Sequence, residues 1–517
     1  MRFQIPTGDW RFWAIFAAGL LLRGMQPGLV QYGIDEGSAT ALALQISHGV
    51  HFATKGLMTS FGFHNPPLFL YLLAPFTLLS IDPGLLGICF ALIGSSAIWF
   101  AYDTARRIGG NRAAILAAII VALCPNAIEH SRRIWGHDLM VAFSSAVLWC
   151  AVLAHEKKNW KFLAASFSFC VMAQCVHLSG VLLWPIPLAI FFAVAGREKW
   201  KALATGISFL VLCYLPWIAA DAGNNFMEMR VIISTLGGHG GAKDLGLVVS
   251  PHAAWALVLS DFWSNDLLGA ARPFMLSKMA FAASVTQTAC SLGLLGIAIC
   301  AAILLMKNRQ GSPAVELALL LGIVAPLLLF GLFFRAAVPP YLLPALVPSA
   351  VCAACAMGRE TLSRRNRFFA AALIALYAFS SVTLVVETRR QILRGVGTSI
   401  PATEKSEAIT FIASRSLTGQ AFVMQDGRQK NTGLDIAYVV LAHDAVLGLG
   451  EITSEESPFP IFVIVDHRSL LRPQVANYLR HQPGEEFQHL TVYTIRQAQR
   501  ASWLELVERF PAVPPPP

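Results

Sequence analysis

The chain has 517 residues, of which 56% are hydrophobic and only 13% charged. Soluble domains carry about 25% charged residues, so this composition excludes an ordinary soluble protein and indicates a membrane protein. The formal net charge of +9 comes without a basic patch that is interleaved with aromatic residues, which argues against nucleic-acid binding.

Apolar segments long enough to cross about 30 Å of hydrocarbon occur through most of the chain. They lie near residues 12–31, 84–104, 113–128, 138–154, 160–176, 178–195, 202–220, 280–306, 314–334, 339–357 and 368–386. This pattern predicts an all-α polytopic membrane bundle of about 11 spans. The first segment follows Arg2 and Arg11 and lacks a convincing cleavage site, so we expect an uncleaved span.

The charges of the loops indicate the orientation of the bundle. A further apolar run, 66–80, begins with two prolines. If this run does not cross and the N-terminus is cytoplasmic, every inside loop is rich in Lys or Arg, as the positive-inside rule requires. These loops are 105–112, 155–161, 196–201, 307–312 and 358–367. We therefore expect 66–80 to be a juxtamembrane or re-entrant helix on the outer side.

The same orientation places the loop 32–65, the segment 129–137, the loop 221–279 and the tail from about 390 outside. The tail mixes strand-like and helical patterns, which predicts a small extracytoplasmic α/β domain. The strand-like segments lie near 421–425, 437–442, 460–466 and 490–495, and the helical patterns around 403–415 and 468–480.

These patterns divide the chain into a membrane domain, 1–390, a soluble α/β domain, 391–510, and a disordered proline-rich tail, 511–517. We expect a multi-pass protein of the bacterial inner membrane, with the C-terminal domain in the periplasm. The ten cysteines all fall in apolar segments, which favours packing over a disulfide framework. Cys352 and Cys355 form a C-x-x-C pair without a second pair, which disfavours a metal or redox site.

Three carboxylates lie near span ends on the predicted outer side. Asp35 and Glu36 follow the first span, and Asp138 begins the fourth. Carboxylates at the ends of spans are costly to desolvate and therefore suggest function, although each could also be an ordinary interfacial charge in water.

A basic cluster lies just before the fourth span, again on the outer side. It consists of Arg132 and Arg133, with His130 and His137 beside them. Because arginine forms bidentate contacts with phosphate, the cluster suits a phosphate-bearing substrate at the membrane surface. A structural salt bridge between Arg133 and an acid such as Asp35 is the alternative.

Three more polar residues lie on or near this face. Arg23, in the outer half of the first span, needs a partner, which could be a lipid phosphate, an acid or the carrier of a substrate. His64 precedes the proline pair that opens 66–80, and the free N–H groups at that helix end favour an anion. His64 is thus placed to meet a phosphate or a divalent metal, and His177 lies between two short spans at the outer surface.

These residues, in this order, resemble the GT-C superfamily of polytopic glycosyltransferases. The resemblance is to the protein O-mannosyltransferase and lipid A aminoarabinose transferase branch and to related lipopolysaccharide sugar transferases, and it covers roughly residues 10–360. Asp35 and Glu36 resemble the acidic motif whose first acid is the catalytic base, and Arg133 through Asp138 resembles the second acidic motif. HNPPLFLYLL at 64–73 and PPYLLPALVP at 339–348 resemble two proline-containing segments of the family.

The chain departs from the family pattern at several positions. Asn65 separates His64 from the proline pair, and His177 stands where the family usually has Lys. Pro340 occupies a position that is often Arg, with Arg335 five residues earlier as a substitute. These departures leave the details of phosphate and metal binding open.

The resemblance implies a sugar donor on undecaprenyl phosphate or a similar carrier, and a glycan, lipid or protein as acceptor. Asp35 would take the proton of the acceptor hydroxyl, with Glu36 and Asp138 as the other acids of the site. Charge on the leaving phosphate would be neutralised by basic residues. These are Arg133, Arg132, His64, Lys55 and His177. Direct displacement would invert the anomeric centre. No cofactor is firmly predicted; a divalent metal at His64 is left open, because no spaced cluster of ligands accompanies it.

The competing interpretation is a transporter or flippase of lipid-linked sugars. Such a protein would also be a polytopic bundle with buried charges, but it should have two similar halves or helices that are broken at the midplane. The sequence has neither pattern, and its charges cluster at one face. The glycosyltransferase interpretation is therefore preferred.

Overall fold

The structure, a computed structural model, describes residues 9–29, 32–59, 62–194, 196–236, 278–308, 312–328, 342–393, 401–415, 420–423, 461–467 and 473–509. The strand expected at 437–442, the tail 511–517, and Arg335 and Pro340 lie outside these residues.

The described chain is a bundle of helices that is followed by one small sheet. The helices are α1 Trp10–Gly24, α2 Ile34–Ser47, α3 Leu68–Thr77, α4 Pro83–Leu123, α5 Pro125–Glu129, α6 Met140–Lys157, α7 Trp160–Val176, α8 Pro185–Ala193, α9 Glu198–Gly223, α10 Met227–Leu236, α11 Lys278–Asn308, α12 Pro313–Leu328, α13 Leu343–Met357, α14 Arg364–Leu393, α15 Ala402–Arg415, α16 Pro473–Leu479 and α17 Arg500–Arg509. The strands are β1 Gln420–Val423, β2 Ile461–Asp466, β3 Gly484–Glu486 and β4 Leu490–Ile495. The predicted helical membrane bundle with a small C-terminal α/β part is confirmed.

Among the described helices, five are long and apolar enough to cross a membrane by length and composition. They are Pro83–Leu123, Gly136–Lys157, Glu198–Gly223, Phe281–Ile303 and Arg364–Glu387. Shorter apolar helices complete the bundle, and α3 is one of them, with only 10 residues. Ten residues span about 15 Å, half of the hydrocarbon thickness, which agrees with a segment that does not cross.

The predicted spans 84–104 and 113–128 correspond to two helical segments that meet at a sharp kink at Gly110, and the bounds of α4 include both segments. Gly110 has φ 79° and ψ −174°, a conformation that only glycine adopts without strain. A Cβ on the preceding Gly109 would lie 3.0 Å from the Cys355 sulfur, so α13 packs directly against the bend. Cys355 and Cys352 are buried free thiols, in agreement with a packing role.

The sheet has the strand order β1-β2-β4-β3, with β1 parallel to β2 and the other pairs antiparallel. Strand β2 is apolar on both faces because each face is covered. Phe462 and Ile464 pack into the same cluster as α15, whereas Val463 and Val465 pack against Trp503 of α17. Helix α15 thus joins the sheet to the end of the bundle at which α2 begins.

Arg23 is buried, with 1% of its surface exposed, and it binds protein rather than lipid. Its Nη2 donates to the carbonyl of Val121 at 2.9 Å, and its Nη1 donates to that of Ala122 at 2.9 Å. Helix α4 ends there, and Pro125 has no N–H to return to Val121. Of the three partners considered from the sequence, none is correct: Arg23 caps the carbonyl end of α4, where a cation is favoured.

We expect Arg23→Met to destabilise the protein by about 1–3 kcal/mol, because it leaves buried carbonyls without donors. Thermal unfolding of the purified protein in detergent measures this. Arg11→Met is the matched control, because the Arg11 side chain is 62% exposed and its loss should leave the Tm unchanged. Equal Tm values for both variants and the wild type would contradict the capping role.

Candidate active site

The first acidic pair lies at the start of a helix. Helix α2 begins at Ile34, so Asp35 and Glu36 occupy its first turn, where the helix dipole favours negative charge. Glu36 is 2% exposed. Its Oε2 accepts the backbone N–H of Gly33 at 2.9 Å, so one carboxylate oxygen closes the turn that begins the helix.

The second oxygen of Glu36 joins this turn to the segment before α6. Arg133 Nη2 donates to Glu36 Oε1 at 3.1 Å, and both side chains are buried. The Arg133 guanidinium also lies 4.9 Å from the centre of the Trp135 ring. The salt bridge considered from the sequence therefore exists, but its acid is Glu36 and not Asp35.

Asp138 is buried within the same segment. Its Oδ2 accepts the Trp135 backbone N–H at 2.8 Å, and its Oδ1 lies 3.1 Å from His130 Nδ1. These contacts fix the turn that carries Arg133. Asp138 thus lies close to Arg133 and Glu36, as the sequence predicted, but its contacts organise the turn rather than face the solvent.

Asp35 differs from the other two acids because its side chain is exposed and lines a cleft. Packing against the protein limits its hydration, and the neighbouring Glu36 carboxylate repels a second negative charge. Both effects raise the pKa of Asp35 to about 6, against the opposing influence of Arg133. An accessible carboxylate that titrates near neutral pH is suited to accept a proton.

The cleft has a volume of about 40 Å³ and lies between the loop that precedes α3 and the turn before α6. It is lined by Asp35, Leu57, Met58, Thr59, Asn65, Pro66, Phe69, Trp135, Gly136, His137, Val176 and His177. A Cβ at Gly136 would lie 2.3 Å from the Val176 carbonyl oxygen, so the turn can approach α7 only with glycine at this position. This approach stacks the His137 ring on the His177 ring, with 3.5 Å between centroids.

His64 and Lys55 converge on an acid that the sequence interpretation missed. Glu228 Oε1 lies 2.7 Å from His64 Nδ1 and 3.0 Å from Lys55 Nζ, and Glu228 Oε2 accepts the His64 backbone N–H at 2.8 Å. Burial alone would favour protonation of Glu228, but these hydrogen bonds hold its pKa below the usual value. Both side chains are thereby fixed beside the cleft-lining residues Asn65 and Pro66.

The position of Glu228 depends on the end of α9. Asp221, near that end, accepts the backbone N–H groups of Glu228 at 2.8 Å and Met229 at 3.1 Å, and so caps α10. The sequence signal was weak, because Glu228 is one of five acids in the loop 221–279 and lies 164 residues after His64. Local sequence patterns do not show which residues pair across such a separation.

Arg132 is adjacent to Arg133 but has a different partner. Its Nη2 donates to the carbonyl of Gln26 at 2.6 Å, whereas Arg133 binds Glu36. That both arginines bind one phosphate stays a prediction. Successive residues of a tight turn point in different directions, so neighbours in sequence need not share a site.

Within the described part of the chain, no group of three or more His, Cys, Asp or Glu side chains is arranged to hold a metal ion. His64 has one acidic neighbour, Glu228, but Lys55 already contacts the same carboxylate oxygen. Lys55 therefore supplies a positive charge at this carboxylate.

The C-terminal domain contacts the loop that carries Asp35. Lys405 of α15 donates to the carbonyl of Tyr32, directly before the turn that begins α2. Ser406 donates to Asp82 Oδ2 at 2.5 Å. The adjacent Glu404 accepts the Leu490 backbone N–H at 2.9 Å, so the same helix is also fixed to the sheet.

Comparison with known proteins supports the resemblance found in the sequence. Residues 64–219 match the family model for dolichyl-phosphate-mannose-protein mannosyltransferase. A search of curated proteins found no match.

Solved structures match over most of the chain. The crystal structure of ArnT from Cupriavidus metallidurans bound to undecaprenyl phosphate superposes with a TM-score of 0.59 at 12% identity, covering 93% of this chain and 97% of ArnT. The apo form gives the same TM-score and coverage at 13% identity. The apo oligosaccharyltransferase of Archaeoglobus fulgidus superposes with a TM-score of 0.53 at 14% identity, covering 88% of this chain and 69% of that one. The chain therefore has the fold of the GT-C superfamily of membrane glycosyltransferases and resembles ArnT.

Proposed function

We propose that this chain is a glycosyltransferase that moves a sugar from a polyprenyl-phosphate donor to an acceptor on the outer face of the membrane. The observation that carries the proposal is the state of Asp35: an exposed carboxylate in a cleft, with a pKa raised to about 6, beside a buried Arg133–Glu36 pair. The structural likeness to ArnT, which was crystallised with undecaprenyl phosphate, supports the class of donor.

In the proposed reaction, Asp35 accepts the proton of an acceptor hydroxyl while the hydroxyl oxygen bonds to the anomeric carbon. The bond between that carbon and the phosphate oxygen breaks, and the polyprenyl phosphate leaves with the bonding electrons. Displacement from the opposite face inverts the anomeric centre. Glu36 and Asp138 do not exchange protons in this scheme; they hold Asp35 and Arg133 in place.

The leaving phosphate gains negative charge, which nearby cations stabilise. Lys55 and His64 suit this role because Glu228 orients both beside the cleft. His177 lines the cleft, but burial lowers its pKa to about 3, so it offers a neutral imidazole and not a cation. Arg133 contributes positive potential from beside the cleft-lining Trp135, since its guanidinium is already engaged by Glu36.

Asp35→Asn should lower kcat by at least about 10²-fold, because general-base catalysis contributes about that much or more. The assay is sugar transfer from a lipid-phosphate donor in membranes. Glu198→Gln, exposed at the opposite end, is the control. Since deprotonated Asp35 is the active form, the wild-type rate should fall as the pH drops below about 6. Full activity of the Asn variant at normal expression would remove Asp35 as the base.

Arg133→Gln should abolish transfer and also destabilise the protein by about 3–5 kcal/mol, because Glu36 would be left as an unpaired buried charge. Adding Glu36→Gln removes that charge and should restore part of the Tm but none of the activity. Arg106→Gln is the control for loss of an arginine at the other end. Normal transfer by Arg133→Gln would contradict the role of this pair.

Lys405→Met should lower kcat by about tenfold and destabilise the protein by about 1–3 kcal/mol, because it removes a buried hydrogen bond to the Tyr32 carbonyl and loosens the start of α2. Hydrogen exchange of residues 32–47 should rise in parallel. Glu407→Ala, exposed on the same helix, is the matched control. Unchanged exchange and kcat in Lys405→Met would mean that the C-terminal domain does not position Asp35.

A further inference from the structure

A second cavity, of about 550 Å³, lies at the end of the bundle opposite the cleft. Helix α4 starts at Pro83, next to the outer loop, and reaches Arg107 about 36 Å further along. The cavity lies where α6 ends, α12 begins and the turn after α13 passes. Its charged and polar walls include Arg107, His155, Glu156, Glu316, Arg359 and Glu360.

Two polar atoms that line this cavity are buried without hydrogen-bond partners. Glu316 is 3% exposed, and its Oε2 has no partner. His155 Nε2 contacts Ser312 Oγ at 2.6 Å, but its Nδ1 has no partner. A buried polar atom without a partner costs about 1–3 kcal/mol, so two such atoms facing one cavity indicate a ligand that supplies hydrogen bonds.

The charges of the cavity indicate which ligand this is. Arg107 is already held by Asp103 Oδ2 at 2.7 Å and Glu156 Oε2 at 2.6 Å. Arg359 and Glu316 line the same space but form no ion pair with each other within the described chain. A guanidinium and a carboxylate that face one cavity without contact are suited to the two ends of a zwitterion.

We propose that this cavity binds the phosphoethanolamine headgroup of a phospholipid in the leaflet opposite the candidate active site. The ammonium group donates to Glu316 Oε2, and the phosphate accepts from Arg359. Ile108, Val152 and Val315 form an apolar part of the wall, against which the glycerol and the first acyl carbons pack. The location at the end of the bundle and this apolar wall favour a lipid over a soluble ligand. The inference does not depend on sugar transfer.

The test uses the full-length protein in detergent, with phosphatidylethanolamine and phosphatidylglycerol added in equal amounts and retained lipid measured by native mass spectrometry. The wild type should retain phosphatidylethanolamine in preference. Glu316→Gln should reduce that preference about tenfold, since it removes a charged hydrogen bond. Arg359→Gln should reduce retention of both lipids.

Glu198→Gln and Arg112→Gln, both exposed at the same end, are the matched controls and should retain lipid like the wild type. Tm values identify any variant that fails to fold, and Glu316→Asp then tests the same carboxylate with its charge kept. Equal retention of the two lipids by the wild type would overturn the proposal. Displacement of the bound lipid by soluble phosphoethanolamine at equal concentration would overturn the assignment to a lipid.

Discussion

The buried ion pair between Glu36 and Arg133 is the constraint on which the outer end of this protein depends. It joins two segments 97 residues apart, the first turn of α2 and the turn before α6. Neither charge could be buried alone, because an unpaired ion in a dry environment costs several kcal/mol. The pair therefore fixes both segments at once, and Asp35 is held next to it with its carboxylate turned to the cleft.

The same rule of compensated charge applies to three other charged groups at this end of the bundle. Asp138 is satisfied by His130 and a backbone N–H, and Glu228 by Lys55 and His64. Arg23 is satisfied by carbonyls that a proline leaves free. Asp35 is the exception among these groups, since its carboxylate is exposed and carries a raised pKa. The supporting charges are organised so that one acid remains available, which is the arrangement that a general base requires.

Sequence reasoning anticipated the fold better than the contacts. The helical membrane bundle with its C-terminal sheet follows from hydropathy and strand patterns. The acids, Arg133 and the cleft histidines were predicted to lie on one face, and the structure gathers Asp35, Glu36, Arg133, Asp138 and His177 there; their roles remain predictions. Arg132 and Arg133 have different partners in the structure, which the sequence could not show because direction within a turn is not visible in it. Glu228 was missed because its partners are 164 and 173 residues away.

By itself, the sequence determined the properties that depend on the immediate neighbourhood of each residue. Apolar length sets which segments suit the membrane, and the Lys/Arg bias of the loops predicts which ends of the helices meet which side. Tertiary structure alone decided which acid pairs with Arg133, which carboxylate orients His64, and that Lys405 reaches the Tyr32 carbonyl. These choices depend on how helices far apart in the chain pack together. A salt bridge or hydrogen bond acts over about 3 Å, and local patterns carry no information about distances across the bundle.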